Sequence, residues 1–145
     1  MKSDEKALSS ALESVNKAYS RLRVSQYLAQ KALTTVKQEE FWNLLAEHLT
    51  LYFSCDRVTI YKRGPQDQLF SLYAQKVNVP VAMNAGTGIA GHVAQTQRHY
   101  LTNDPYQDPL FNCSVDKMTD YKSQNLLAFP LVYQGKTLGV VELLN

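Results

Sequence analysis

Apolar residues in the first third of the chain recur at alternating steps of four and three residues, the heptad spacing of a coiled-coil seam. The seam positions are Leu8, Leu12, Val15, Tyr19, Leu22, Gln26, Ala29, Leu33 and Val36. No glycine or proline interrupts residues 3–53, so the pattern predicts a long N-terminal helix. We expect it to pair two copies of the chain; alternatively, the same residues lie on the sheet of their own domain.

A second helical pattern starts after Gln38, where apolar residues again recur every three or four positions. Its members are Phe41, Leu44, Leu45, Leu49, Tyr52 and Phe53. This spacing places them on one side of a helix, which we expect to pack against a sheet.

From Cys55 onward the period changes to two, which is typical of strands. Strands are predicted around Val58 and Ile60 and at residues 69–74, 77–83, 98–102, 126–133 and 137–144. Short helices are predicted at 89–95 and 116–123. Two Asp-Pro steps between residues 103 and 112 exclude a regular helix there and indicate a structured loop.

These elements predict an α+β fold with one central antiparallel sheet. The N-terminal helices are expected on one face of the sheet. The loops and short helices are expected on the other face, and a ligand pocket would belong there.

The glycine-rich segment 86–94 precedes the helix predicted from Ile89. Glycines followed by the start of a helix leave backbone N–H groups exposed in front of that helix, and such groups bind anions. Gly88 is therefore a candidate pocket-lining residue, and an anionic ligand is favoured.

Three blocks in this order resemble the GAF domain: residues 88–91 (Gly-Ile-Ala-Gly), the pair Asp116 and Thr119, and the strand at 138–145. The resemblance covers residues 39–145 and is closest to the cyclic-nucleotide-binding GAF domains of phosphodiesterases and adenylyl cyclases. It implies a signalling or dimerisation helix at 1–38 and a GAF domain at 39–145 that lacks its C-terminal helix. We therefore expect the chain to be part of a larger protein with a fused output domain.

The resemblance also implies which residues contact a cyclic nucleotide. The main-chain N–H groups of Ile89 and Ala90 would bind the cyclic phosphate, and Asp116 would recognise the purine edge. Thr119 and Ser123 would bond ribose or phosphate oxygens. Each side chain has a local alternative, because Asp116 can cap its helix and the two hydroxyls can bond locally.

Two further contacts and the stacking ring are implied in the same way. Thr59 matches a position facing the base, and Glu142 an acidic position at the pocket floor, although Glu142 could also be solvated at a strand end. Ala74 occupies the position where cyclic-GMP binders carry an aromatic residue, so Tyr73 or Phe111 is expected to supply a ring. The base could be that of cyclic AMP or cyclic GMP.

Composition and net charge limit the classes of partner that the chain is expected to bind. The chain has 145 residues, 45% of them apolar, which suits one domain with a core. Its 15 basic and 13 acidic side chains leave a net charge of +2, which does not favour nucleic acid or an anionic membrane as a partner. No signal peptide or membrane span is visible, so a cytoplasmic location is expected.

Alternative functions depend mainly on the two cysteines. Cys55 and Cys113 lack the spacing of a zinc site, so two reduced thiols are expected and no metal or required cofactor. Cys113 lies near the bilin attachment region of phytochrome GAF domains, and it could also serve a free methionine sulfoxide reductase. That enzyme needs a resolving thiol, which Cys55 is not expected to provide. We expect a sensor without catalytic activity; the remaining alternative is a GAF module that only dimerises.

Overall fold

The computed structural model describes residues 2–34, 37–75 and 81–145, with side chains from residue 5 onward. The seam position Val36 and most of the strand predicted at 77–83 lie outside these ranges. The described residues form two compact units, one ending at Phe41 and the other running from Trp42 to Asn145.

The first unit consists mainly of helix α1 (Lys2–Thr34). Its apolar seam is exposed to solvent: the exposed fraction is 73% at Leu8, 55% at Leu22 and 88% at Leu33. An amphipathic helix normally buries such a stripe. Within the chain as described, these side chains are therefore available for association.

The second unit contains a sheet of six described strands, all antiparallel, in the order β3-β2-β1-β6-β5-β4. The strands are β1 (Arg57–Arg63), β2 (Gln68–Ala74), β3 (Ala82–Asn84), β4 (Tyr100–Thr102), β5 (Leu126–Tyr133) and β6 (Lys136–Leu144). The helices are α2 (Gln38–Phe53), α3 (Gly88–Thr96) and α4 (Ser114–Thr119). The predicted α+β class is confirmed.

Alternation along the strands divides the core into two layers. On one face, Val58, Ile60 and Val141 pack with Ala46 of α2. On the other face, Tyr61, Leu69, Val140 and Leu144 pack with Ile89 and Val93 of α3. The cavity described below lies on the α3 face.

Strand β2 contains a bulge opposite the junction of Ile60 and Tyr61. Ser71 pairs with Tyr61, whereas Tyr73 pairs with Ile60. A bulge inserts one unpaired residue and so reverses which face the following side chains occupy. Tyr73 consequently lies on the opposite face of the sheet from Leu69.

Helix α4 covers Ser114–Thr119 and is both earlier and shorter than the predicted 116–123. Asp120 adopts a positive φ of 47° and ends the helix, and its N–H donates to the Asp116 carbonyl. Left-handed residues are common at helix ends. None of the helices within the described ranges combines the length and apolar character needed to cross a bilayer.

Candidate functional site

A cavity of about 310 Å³ lies between the sheet and the segments that contain α3 and α4. Its walls come from β1, β6, the start of α3 and residues 111–121. Small-molecule sites commonly occupy roughly 300–1,000 Å³. The volume predicted on the loop side of the sheet is therefore present and sufficient for a metabolite.

Strand alternation directs three β1 side chains into this cavity: Arg57, Thr59 and Tyr61. The intervening Val58 and Ile60 are fully buried on the other face. Thr59 therefore lines the cavity, as the resemblance implied.

The carboxyl group of Glu142 also lines the cavity. Glu142 pairs with Thr59 across the β1–β6 ladder. The Tyr61 hydroxyl donates to Oε2 of Glu142 over 3.2 Å, and the N–H of Ala90 also hydrogen-bonds the carboxyl group. Burial raises the pKa of Glu142 to about 7, although these two hydrogen bonds oppose the rise. Glu142 is thus able to change charge near neutral pH.

The start of α3 takes the shape that its glycines permit. Gly86 and Gly88 have φ values of 87° and 68°, in the left-handed region that favours glycine. Gly88, Ile89 and Ala90 all line the cavity, as expected. The N–H of Ala90 is not vacant, however, because it hydrogen-bonds the carboxyl group of Glu142.

Asp116 lines the cavity and is buried, but other parts of the chain use its oxygens. Oδ2 accepts from the Ser123 N–H over 2.8 Å and from the Tyr106 hydroxyl over 2.9 Å. Oδ1 accepts from the Ser123 hydroxyl over 3.0 Å. Asp116 therefore organises the wall of the cavity through local hydrogen bonds.

Thr119 and Ser123 do not line the cavity, in contrast to their implied contacts with ribose or phosphate. The Thr119 hydroxyl donates to the Val115 carbonyl and accepts from Nη1 of Arg57, each over 3.0 Å. Ser123 is only 1% exposed and lies beneath a separate, more open depression. The local alternative describes both hydroxyls in this structure, because each is occupied by a nearby partner.

Of the two candidate rings, Phe111 lines the cavity and Tyr73 does not. Tyr73 instead lies in the layer beneath α2, because the β2 bulge turns its side chain to that face of the sheet. Tyr121 contributes a ring to the cavity wall instead. Two aromatic side chains thus face the cavity from the segment around α4.

Arg57 and Tyr121 are the main cavity residues absent from the sequence interpretation. Arg57 is only 9% exposed, and its guanidinium carbon lies 3.6 Å from the centroid of the Tyr121 ring. Burial and the nearby Asp56 carboxylate raise the pKa of Tyr121 to about 12, so this phenol stays neutral. Alternation could have revealed Arg57, because it lies two residues before Thr59 and shares its strand face.

The two cysteines occupy different surroundings. Cys55 packs in the layer beneath α2, whereas Cys113 immediately precedes α4. Burial raises the pKa of the Cys55 thiol, which lowers its nucleophilicity at neutral pH. Within the ranges that the structure covers, no three His, Cys, Asp or Glu side chains are grouped to hold a metal ion.

Known proteins resemble this chain in sequence and in fold. The chain is 34% identical over 96 residues to the dual 3',5'-cyclic-AMP and -GMP phosphodiesterase 11 of Drosophila melanogaster, covering 66% of the chain but 6% of that relative. The fold resembles the GAF domain of a phosphoenolpyruvate-protein phosphotransferase from Coxiella burnetii, with a TM-score of 0.73 and 15% identity over 86% of this chain and 76% of the other.

A free methionine-R-sulfoxide reductase from Neisseria meningitidis has the same fold, with a TM-score of 0.66 and 16% identity over 81% of this chain and 68% of the other. At these identities the solved structures establish the fold alone. The family model of the GAF domain matches residues 38–145, most of the chain. This match, together with the glycine loop and the six-stranded sheet, shows that the chain belongs to the GAF domain family.

Proposed function

We propose that this chain is the sensory part of a regulatory protein and that its cavity binds a small molecule. The observation that carries the proposal is the open volume of about 310 Å³ lined by polar groups, among them the buried Arg57 and Asp116 and the half-buried Glu142. Buried polar groups with unfilled hydrogen-bonding capacity favour a polar ligand over an apolar one.

A cyclic nucleotide is the leading candidate for that ligand. It offers an anionic group, polar ring edges and a flat base, and the cavity offers a guanidinium, several hydrogen-bonding groups and three aromatic rings. The relatives named as phosphodiesterases support this choice of ligand class. The chain spans 6% of the length of such a relative.

We further propose that residues 1–38 form a signalling helix and 39–145 the sensory domain. The exposed apolar seam of α1 supports pairing of two copies. Ligand binding would order the segment 104–123, which contributes to the cavity wall, and shift the population of helix pairings passed to a fused output domain. GAF domains are generally regulatory. Cys55 and Cys113 lie in separate surroundings, which favours a regulatory role over thiol-based redox catalysis.

The test is thermal unfolding with cyclic AMP and cyclic GMP over a range of concentrations. A ligand that binds only the folded state must raise the melting temperature, with about 2.7 kcal/mol of stabilisation at one hundred times Kd. Val115→Trp should abolish the rise, because Val115 lines the cavity and the larger ring fills it. Lys117→Trp, exposed on the same helix, is the matched control and should respond as the unmodified chain does.

No rise at millimolar concentrations of either nucleotide would contradict the cyclic-nucleotide proposal. The second candidate, a GAF module that only dimerises, would then be favoured, since the exposed seam of α1 supports it independently. A visible absorbance band in the purified protein would instead point to a bilin attached near Cys113.

A further inference from the structure

The position of the ligand's anionic group follows from which cavity groups already have partners. The start of α3 is the obvious anion site, but the Ala90 N–H there is bonded to Glu142. The Tyr61 hydroxyl donates to the same carboxyl group. A phosphate at this place would compete with a carboxylate of the protein itself and would be repelled by it whenever Glu142 is ionised.

Arg57, in contrast to the Ala90 amide, has a hydrogen-bond donor that no group of the protein fills. Arg57 is only 9% exposed, lines the cavity and stacks its guanidinium on the Tyr121 ring. Nη1 donates to Thr119, but Nε has no hydrogen-bond partner. Within the described ranges, no carboxylate comes within the 4.0 Å of an ion pair with it. A buried cation with no carboxylate in ion-pair contact and an unfilled N–H donor is costly, and an anionic ligand that bonds this donor would relieve that cost.

The two ends of the cavity are separated along β1. Glu142 lies opposite Thr59 in the β1–β6 register, and Arg57 precedes Thr59 by two residues on the same face. Two residues of a strand span about 7 Å. The acidic group and the unpaired cation can therefore contact different parts of one small molecule.

We propose that Arg57 binds the anionic group of the ligand, whereas Glu142 and the Ala90 amide face its uncharged, hydrogen-bonding end. This inference rests on the proposed function, that the cavity binds a small molecule. The ligand class is an organic phosphate or carboxylate that carries an uncharged, hydrogen-bonding group at the end away from the anion. The phosphate would thus lie near Tyr121 and Thr119, away from the amides at the start of α3.

The experiment compares cyclic GMP with guanosine, which lacks the phosphate, on the unmodified chain and on Arg57→Ala. Loss of a charge-assisted hydrogen bond should weaken cyclic GMP binding about tenfold or more. Guanosine binding should fall by much less. Arg63→Ala is the matched control: it removes the same charge from the same strand, but Arg63 bonds Asp67 and does not line the cavity. It should leave both affinities unchanged.

A second measurement covers the case in which Arg57→Ala fails to fold. In the unmodified chain, the ¹⁵N resonance of the Arg57 Nε–H should shift on titration with inorganic phosphate, and the Arg63 Nε–H should not. Equal weakening of cyclic GMP and guanosine by Arg57→Ala would overturn the inference, as would cyclic GMP binding that does not depend on Arg57.

The two proposals fail in different ways. If no nucleotide binds but phosphate shifts the Arg57 resonance, the anion subsite stands and the cyclic-nucleotide function is overturned. If cyclic GMP binds and neither the variant nor the phosphate titration involves Arg57, the function stands and the subsite is overturned. If neither probe has any effect, both are overturned.

Discussion

At the residue scale, the role of each cavity side chain depends on the partner it meets. Asp116 has the residue type for recognising a purine edge, yet its oxygens accept three hydrogen bonds from Ser123 and Tyr106. Arg57 has the residue type of an ordinary surface cation, yet it is buried with a free Nε. Hydrogen-bonding capacity that remains unfilled is therefore a better guide to ligand contacts here than residue type alone.

Glu142→Gln should change how stability depends on pH. The pKa of this carboxyl is about 7 in the folded protein and 4.5 in its ordinary range, so the folded state binds more protons between those values. Stability of the unmodified chain should therefore fall by about 3 kcal/mol as pH rises from 4.5 to 7. Glutamine does not titrate, so the variant should lose this decline and be the more stable protein at pH 8.

Urea unfolding at several pH values measures this difference. Glu39→Gln, an exposed carboxylate on α2, is the charge-matched control and should keep the pH profile of the unmodified chain. A parallel profile for Glu142→Gln would contradict the proposed titration of Glu142.

At the element scale, the placement of α3 depends on close backbone contact with the preceding loop. A Cβ atom at Gly91 would lie 2.8 Å from the Asn84 carbonyl oxygen and 2.9 Å from the Gly86 nitrogen. Both are backbone atoms, so neither can move aside as a flexible side chain could. Gly91 lets the helix approach the loop closely enough to place Ile89 and Ala90 at the cavity.

Gly91→Ala should therefore destabilise the domain by about 1–3 kcal/mol through overpacking. In an open helix position the same change would stabilise by up to about 1 kcal/mol, since alanine is the better helix former. The sign of the change in unfolding free energy, measured by urea denaturation, distinguishes the two. Thr96→Ala, at the exposed end of the same helix, provides the control; stabilisation by Gly91→Ala would contradict the close contact.

At the scale of the whole molecule, the chain divides into a mostly helical unit and a sheet domain. The sheet domain buries its apolar residues in two layers, whereas α1 leaves its seam in solvent. Exposed apolar stripes of this length are typical of association surfaces. Pairing through α1 is thus a property to test on the full chain rather than on the sheet domain.

Leu12→Asp combined with Leu22→Asp should shift the chain toward the monomer, because charges in a heptad seam disfavour pairing. Sedimentation velocity over a concentration series measures the change. Ser10→Asp combined with Arg21→Asp, off the seam of the same helix, is the control and should retain the association of the unmodified chain. If the unmodified chain stays monomeric at high concentration, pairing through this helix is contradicted.

Much of the fold follows from local patterns in the sequence. The heptad spacing predicts α1, and the change of period to two predicts the strands from Val58 onward. The glycine loop predicts the start of α3 at the pocket, where Gly88, Ile89 and Ala90 lie. These features depend on residues a few positions apart, so one chain segment contains all the information they require.

The chemistry of the cavity depends on contacts between distant segments, which no local pattern specifies. Arg57 meets Thr119 across 62 positions, and Tyr61 meets Glu142 across 81. The β2 bulge moved Tyr73 to the other face, although simple alternation places it with Leu69. Sequence alone thus determined the elements and the family, while tertiary packing decided which polar groups remain unpaired, because only packing brings their partners together.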